Sequence, residues 1–233
     1  MKTIGILGGM SWESTALYYR RINEGVRARL GGLHSARIAL VSVDFATIEP
    51  LQAGGDWTLA GERLAVEARR VEAAGAEMLL LATNTMHRCA DAISAAVGIP
   101  LLHLADATAD AIRAAGVTRV GLLGTRYTME QPFYRERLEA AGITVDVPGA
   151  DDRAELDRII FEELCRGTVH AQSRRRVLRM IDALCTAGSA GIVAGCTEIT
   201  LLVDAADVPV ALFDTTAIHC DAAVAAALTG ATT

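Results

Sequence analysis

The feature that most constrains this chain is an internal duplication of its strand-and-loop segments. The segment IGILGG at 4–9 aligns with VGLLGT at 120–125, and AGAEMLLLATNTMH at 74–87 aligns with AGSAGIVAGCTEIT at 187–200. In both halves a short apolar run, of the length of a buried strand, opens into a loop rich in glycine and hydroxyl groups. Because the matched segments keep the same order, we expect two lobes built on the same plan.

Strand-like apolar runs alternate with helical patterns along the whole chain. The runs at 37–44, 100–104 and 208–213 have the composition of buried strands, whereas 61–75 and 152–166 carry apolar residues at helical spacing. Neighbouring parallel strands need crossover helices between them. The alternation therefore predicts an α/β fold with two pseudo-symmetric, Rossmann-like lobes and mostly parallel sheets.

The duplication also predicts how the chain divides and where a ligand binds. We expect residues 1–107 with 214–233 to form the first lobe and 108–213 to form the second. Ligands of open α/β sheets bind beyond the carboxyl ends of the strands, which predicts an active-site cleft between the lobes. Four loops would face that cleft, and their glycines and hydroxyls suit a carboxylate: 8–14, 83–87, 124–128 and 196–200.

The charge and cysteine content argue against several classes of protein. A net charge of −6 disfavours nucleic acid or an acidic membrane surface as a partner, and no apolar run approaches the roughly 20 residues that span a bilayer. Five cysteines without a C-x-x-C pair predict neither a disulfide framework nor a metal site. The first glycine loop lacks the G-x-G-x-x-G spacing of a dinucleotide site. We expect a cytoplasmic protein.

Two protic side chains, Thr83 and Cys196, occupy equivalent positions in the duplicated segments. Facing each other across a cleft, they suit chemistry in which a proton leaves one face of a carbon and another arrives on the opposite face. A thiol has an ordinary pKa of about 8.5, which its surroundings can tune for such a role. The alternative is that Cys196 only packs at the end of its strand.

At these positions the chain resembles the aspartate/glutamate racemases that act without pyridoxal phosphate. The resemblance covers essentially the whole chain and rests on GGMSWEST at 8–15, NTMH at 84–87 and GCTEI at 195–199. It is closest to the bacterial L-aspartate/glutamate-specific branch, as TNTMH, LGTRYTMEQ and IIFEEL indicate.

The resemblance implies a cofactor-independent homodimer with its active site between two lobes. Most members of the family carry a cysteine at the end of each matched strand, whereas this chain has Thr83 at the first and Cys196 at the second. Cys196 would remove the α-proton of L-aspartate or L-glutamate, and Thr83 would reprotonate the opposite face. A hydroxyl is a far weaker acid than a thiol, so we expect conversion to favour the L to D direction.

The resemblance to the family implies further site residues by their position in the sequence. They would hold the substrate's carboxylates and ammonium group through N–H and hydroxyl groups: Met10, Ser11, Gln52, Asn84, Thr85, Thr125, Thr128 and Thr197. For Thr125 and Thr128, capping of a following helix is an alternative. His87 and His219 could orient a substrate or be structural.

Two departures from the wider family concern the substrate. The segment FATIEP at 45–50 lacks an arginine that many members have, and Cys165 stands where many have a lysine. Arg126 could compensate for these lost cations or lie at the surface, and Cys165 could pack in the core or line the pocket.

Two other readings remain open. A single effective thiol could protonate a carbanion after decarboxylation, or act in maleate-type isomerisation, on the same fold. The chain could also be an amino-acid-binding protein that has lost catalysis, in which case replacing Cys196 would leave binding intact.

Overall fold

The computed structural model describes residues 1–229, which form two compact units. The first unit consists of Met1–Leu104 with the C-terminal segment that begins at His219, and the second consists of Ala105–Ile218. In this part of the chain, no helix combines the length and the apolar character that crossing a membrane requires.

The first unit is a three-stranded parallel sheet with helices packed against it. Its elements are β1 (Ile4–Gly8), α1 (Trp12–Leu30), β2 (Ile38–Ser42), α2 (Glu49–Gly54), α3 (Trp57–Ala73), β3 (Met78–Leu81) and α4 (Ala90–Ser94). The strand order is β2-β1-β3, and Ile4 of the central strand pairs with both Ile38 and Met78. One apolar cluster joins the sheet to α3, and another joins it to α1 and the C-terminal helix.

The second unit is a four-stranded parallel sheet of the same plan. Its elements, with the helices that connect it to the first unit, are α5 (Leu104–Ala114), β4 (Arg119–Leu123), α6 (Arg126–Glu130), α7 (Pro132–Ala140), β5 (Thr144–Asp146), α8 (Ala150–Arg158), α9 (Ala171–Thr186), β6 (Gly191–Ala194), β7 (Ala211–Asp214) and α10 (Thr215–Leu228). The strand order is β5-β4-β6-β7. The α/β fold with parallel sheets predicted from the sequence is confirmed.

The two central strands share a local feature that matches the duplication. A Cβ atom placed on Gly5 of β1 would lie 2.5 Å from the side chain of Val71 in α3. A Cβ placed on Gly121 of β4 would lie 2.8 Å from the side chain of Leu184 in α9. Glycine at each position therefore lets a crossover helix pack closely on the central strand.

Three predicted elements differ from the structure. The segment 100–104 makes a single bridge, from Leu101 to Leu79, because α5 already begins at Leu104. The strand expected at 208–213 begins only at Ala211.

The helix expected over 152–166 is present but changes its geometry along its length. The α-helix ends at Arg158, a π-helical turn follows at Ile159–Glu163, and a 3-10 turn ends the segment at Leu164–Arg166. The carboxylate of Glu163, at the end of the π turn, is bonded to Ser173 of α9 and to Arg158. These contacts anchor the widened turn to the next helix.

Candidate functional site

Thr83 lies two residues after the end of β3, just before a short 3-10 helix, Thr85–Cys89. The residue is 9% exposed, and its hydroxyl has no hydrogen-bonding partner within residues 1–229. Asn84 and Thr85 beside it are also buried. The hydroxyl of Thr83 is therefore available to a ligand that reaches the end of this strand.

His87 fixes the backbone of this loop. Its Nδ1 lies 2.7 Å from the carbonyl oxygen of Thr83, and its Nε2 lies 3.2 Å from the backbone nitrogen of Leu104. Because the carbonyl can only accept and the N–H can only donate, Nδ1 carries the proton and Nε2 accepts one. Burial lowers the pKa of His87 well below its ordinary value, and His103 and His219 lower it further. The ring is neutral.

His219 is fixed in the same way from the C-terminal helix. Its Nε2 donates to the carbonyl oxygen of Leu102 at 2.8 Å, so its Nδ1 accepts from the hydroxyl of Tyr18 at 2.9 Å. Burial lowers the pKa of His219 to about 4. Both nitrogens of His87 and of His219 are thus bonded to protein atoms. Of the two roles that the sequence left open for these histidines, the structure supports the structural one.

The loop after β1 is bonded to the loop after β3. Ser11 caps α1, its hydroxyl accepting the N–H of Ser14 at 3.2 Å. The hydroxyl of Thr15 donates to the carbonyl of Ser11 and accepts the N–H of Gly9, both at 2.8 Å. The hydroxyl of Ser14 in turn donates to the carbonyl of Ala82 at 3.2 Å. The predicted site residues at the ends of these two strands therefore belong to one hydrogen-bonded structure.

Gln52 and Met10 lie in the same unit. Met10 is buried in the apolar cluster on the α3 side of the sheet. Gln52 of α2 is 6% exposed, and its side-chain amide has no bonding partner in the part of the chain that the structure describes. Its amide atoms are not among the fully buried atoms that lack a partner, so they keep contact with solvent and are open to a ligand. Gln52 is therefore a candidate ligand contact.

Cys196 lies two residues after the end of β6 and precedes a 3-10 helix, Thr197–Leu201. The residue is half-buried, and its Sγ donates to Oε2 of Glu198 at 2.8 Å. Burial raises the pKa of the Cys196 thiol well above its ordinary value, and the carboxylate of Glu198 raises it further, with a smaller contribution from Cys165. The resting side chain is therefore a neutral thiol hydrogen-bonded to a carboxylate.

Three predicted hydroxyl residues lie near this loop in the second unit. Thr125 caps α6 by accepting the N–H of Thr128 at 3.4 Å, and the two hydroxyls are also 3.4 Å apart. A Cβ on Gly195 would lie 3.3 Å from the methyl carbon of Thr128, so this threonine is close to the residue before Cys196. The hydroxyl of Thr197 lies 3.4 Å from that of Thr216. Thr125 is therefore the N-cap of α6, which begins at Arg126, so the capping role that the sequence left open is present.

The sequence left the roles of Arg126 and Cys165 open. Arg126 is exposed, its guanidinium lies over the ring of Tyr127, and one of its nitrogens donates to the Tyr127 hydroxyl at 3.0 Å. Cys165 is exposed rather than packed in the core, and it acts electrostatically on Cys196.

The predicted site residues fall into two groups, one in each unit. The first unit holds Met10, Ser11, Gln52, Thr83, Asn84 and Thr85; the second holds Thr125, Thr128, Cys196 and Thr197. In residues 1–229 no group of His, Cys, Asp and Glu side chains is arranged to hold a metal ion. Glu198 follows Cys196 and Thr197 in the sequence but was not among the predicted site residues, and the structure brings its carboxylate to the thiol.

The chain is similar in sequence and in structure to known racemases. Residues 7–223 match the model of the Asp/Glu/hydantoin racemase family. A crystal structure of a candidate Asp/Glu racemase from Yersinia pestis is 57% identical and superposes with a TM-score of 0.94, covering 98% of this chain and 100% of that one. An aspartate racemase homologue from Pyrococcus horikoshii is 35% identical with a TM-score of 0.86, covering 97% and 99% of the two chains.

A more distant structure supports the fold alone. Glutamate racemase from Francisella tularensis, solved with D-glutamate, is 15% identical with a TM-score of 0.61, covering 98% of this chain and 81% of that one. On the family match and the two similar structures, this chain belongs to the Asp/Glu/hydantoin racemase family and is an isomerase of the racemase type.

Proposed function

We propose that this protein racemises L-aspartate, L-glutamate or both without a cofactor, and that it favours the L to D direction. The observation that carries the proposal is the unequal pair of side chains at matched strand ends. Cys196 follows β6 and is bonded to a carboxylate, whereas Thr83 follows β3 with a hydroxyl that has no partner within the described residues.

The proposed reaction divides proton removal and return between these two residues. The Cys196 thiolate takes the α-proton of the L-acid, so that the C–H bond breaks, an S–H bond forms and the electron pair moves into the carboxylate-stabilised carbanion. The Thr83 hydroxyl gives its proton to the opposite face of the carbon. Solvent then returns a proton to Thr83 and takes the proton from the Cys196 thiol, which regenerates the thiolate. One proton leaves the substrate and one enters it, which balances the step.

The direction follows from the acidity of the two groups. A thiol reaches its thiolate far more readily than a hydroxyl reaches its alkoxide. Thr83 can therefore donate to a carbanion, which is a strong base, but it is a poor base toward the α-proton of a D-acid. Hence L-acids are converted and D-acids react slowly.

Hydroxyl, amide and backbone N–H groups would bind the substrate. Those at the loops named above would donate to its carboxylates, which stabilises the negative charge that develops in the transition state. The amide of Gln52, which has no bonding partner within residues 1–229 and keeps contact with solvent, supports its inclusion. We also propose that the active protein is a cytoplasmic homodimer, as the resemblance to the family implies.

The lysine content supports a reaction without pyridoxal phosphate. That cofactor is held as a Schiff base by a lysine side chain. The sequence contains a single lysine, Lys2, which is exposed and precedes the first residue of β1. It therefore lies at the amino end of its strand, away from the carboxyl end where the proposed site residues are.

Proton NMR in D2O tests this function. The purified protein is incubated with L-aspartate, L-glutamate and each D-enantiomer in turn, and the α-proton signal is followed. We expect the signal to decay for the L-acids, and to decay about 10³-fold more slowly in Cys196→Ala. Cys185→Ala, on α9, is the matched control and should behave as the wild type.

Two results would contradict the proposal. No exchange from any of the four acids would remove the aspartate/glutamate assignment. Equal rates of exchange from both enantiomers would remove the directionality but leave a racemase.

A further inference from the structure

We propose that His87 is a positioning residue that acts through Thr83, by holding the backbone of that residue so that its hydroxyl can deliver a proton to the substrate. The inference rests on the proposed function, because it concerns how the proton donor of that reaction is aimed. Its basis is geometric: Nδ1 of His87 donates to the carbonyl oxygen of Thr83 at 2.7 Å, and Nε2 accepts the N–H of Leu104 at 3.2 Å.

Thr83 lies in a stretch of chain that belongs to no regular element. The strand β3 ends at Leu81, and the 3-10 helix begins at Thr85. A threonine side chain follows its backbone closely, because the branched Cβ restricts its first torsion angle to a few rotamers. A hydrogen bond that fixes the carbonyl of Thr83 therefore also limits where its hydroxyl points.

The ring of His87 is itself held by residues that are distant in the sequence. It is buried, and it makes edge contacts with the rings of His103 and His219, at 4.6 and 5.8 Å between ring centroids. Leu104 is the last residue of the first unit before the chain enters the second, and His219 is the first residue after its return. The bond to Leu104 thus ties the loop of Thr83 to the segment by which the chain leaves the first unit.

A purely structural role for His87 makes a different prediction. If the ring only stabilised the fold, replacing it would lower the amount of folded protein, and every step of the reaction would slow by the same factor. If His87 positions Thr83, proton delivery at Thr83 slows more than proton removal at Cys196. The ratio of the two rates separates these roles, because it does not depend on the concentration of folded protein.

The experiment measures this ratio with L-aspartate and L-glutamate in D2O. Mass spectrometry of the separated enantiomers gives the rate of D-acid formation, which needs delivery by Thr83. It also gives the rate at which deuterium enters the remaining L-acid, which needs removal and return at Cys196. The first variant is His87→Leu, which removes both ring nitrogens.

The matched control is His219→Leu. This variant also removes two buried ring nitrogens, but they are bonded to the hydroxyl of Tyr18 and to the carbonyl of Leu102 rather than to the loop of Thr83. The control therefore loses the same kind of interior contact without losing the bond on which the proposal depends.

Two conservative variants separate the two bonds of His87. The amide nitrogen in His87→Asn is as many bonds from Cα as Nδ1, and the amide oxygen in His87→Gln is as many bonds from Cα as Nε2. His87→Asn therefore keeps a donor for the carbonyl of Thr83, whereas His87→Gln keeps an acceptor for the N–H of Leu104.

We expect the ratio of D-acid formation to deuterium entry into the L-acid to fall about 10-fold in His87→Leu and in His87→Gln, because a small displacement of a reacting group is enough for such a loss. In His87→Asn the ratio should stay within about threefold of the wild type. His219→Leu should keep the wild-type ratio even though it, too, destabilises the fold.

Each contrary result has its own meaning. An unchanged ratio in folded His87→Leu overturns the positioning role and leaves the proposed function standing. An equal fall in His219→Leu also overturns it, because the effect would then belong to the buried histidines in general and not to the bond with Thr83. Absence of exchange by the wild-type protein removes the proposed function and this role with it. If His87→Leu has lost its folded circular dichroism, the comparison of His87→Asn with His87→Gln decides by the same ratio.

Discussion

The loops that follow β3 and β6 hold matched residues in different chemical surroundings. The backbone carbonyl of Thr83 accepts from the neutral ring of His87, and its hydroxyl has no partner in the described part of the chain. The thiol of Cys196 instead donates a hydrogen bond to the carboxylate of Glu198. In the first loop the backbone of Thr83 is bonded and its side chain is available. In the second loop the side chain of Cys196 is itself bonded.

This difference indicates that a duplicated fold can keep its geometry while its two halves take different chemical roles. Both loops begin two residues after a buried strand, and both continue into a 3-10 helix. The weak acid needs only to be held in place to donate. The thiol, which has to be ionised before it can act as a base, is hydrogen-bonded to a carboxylate that raises its pKa.

The largest expected effect comes from making the two loops alike. In Thr83→Cys the first loop gains a thiol, whose pKa is much closer to neutrality than that of a hydroxyl. We expect α-proton exchange from D-aspartate or D-glutamate to rise on the order of 10²-fold over the wild type, measured by proton NMR in D2O. Thr83→Ser, which keeps a hydroxyl, should remain directed toward L-acids. No gain in D-substrate exchange would contradict the assignment of direction to this residue.

A smaller effect is expected from removing the histidine that holds the first loop. His87→Leu removes the two ring nitrogens that are bonded to the carbonyl of Thr83 and to the N–H of Leu104 in the interior. Loss of a hydrogen bond to a buried group costs about 1–3 kcal/mol, so we expect the free energy of unfolding to fall by about 2–4 kcal/mol when both bonds are lost.

Urea denaturation measures this change, and His34→Leu at an exposed position is the control. An unchanged free energy of unfolding in His87→Leu would show that the ring does not support the loop.

The smallest expected effect is a dependence of stability on pH that comes from His219. His219 has a pKa of about 4 in the folded protein, below its ordinary value, because burial disfavours its charged form. Between about pH 6.5 and 4 the unfolded chain binds a proton that folded His219 does not, so stability is lost as the pH falls through this window. The slope is at most about 1.4 kcal/mol per pH unit for this residue.

Urea denaturation from pH 7 to pH 5 should give a shallower slope for His219→Gln than for the wild type. The neighbouring titratable groups, Tyr18 and His87, remain in that variant. His34→Gln should keep the wild-type slope, and identical slopes for all three proteins would contradict a neutral, buried His219.

Much of the fold could be predicted because the duplicated segments are short, local patterns of apolar residues and glycines. The apolar runs of β1 and β4 open into glycine loops, and periodicity alone identifies such strands. The segment expected as a helix over 152–166 is helical throughout, but its second half changes from α to π and then to 3-10 geometry. Its apolar spacing continues through this change, but the π turn depends on the contact of Glu163 with Ser173 on another helix.

The site was predictable in its positions but not in its contacts. The positions of Thr83 and Cys196 follow from the alignment of the two halves. That His87 bonds to Leu104 depends on the return of the chain after α4, a tertiary contact that no local pattern encodes. Glu198 was visible next to Cys196, but its effect on the thiol depended on the turn that directs its carboxylate back toward the sulfur.

The most direct test of the division between the two loops is the fate of deuterium in Thr83→Val. This variant keeps the shape of the side chain and removes the hydroxyl. It is incubated with L-aspartate and with L-glutamate in D2O. The enantiomers are then separated, and mass spectrometry measures the amount and the deuterium content of each. If Cys196 is the base and Thr83 the donor, deuterium enters the L-acid through return at Cys196, while formation of the D-acid falls about 10²-fold. Formation of the D-acid at the wild-type rate would contradict the account.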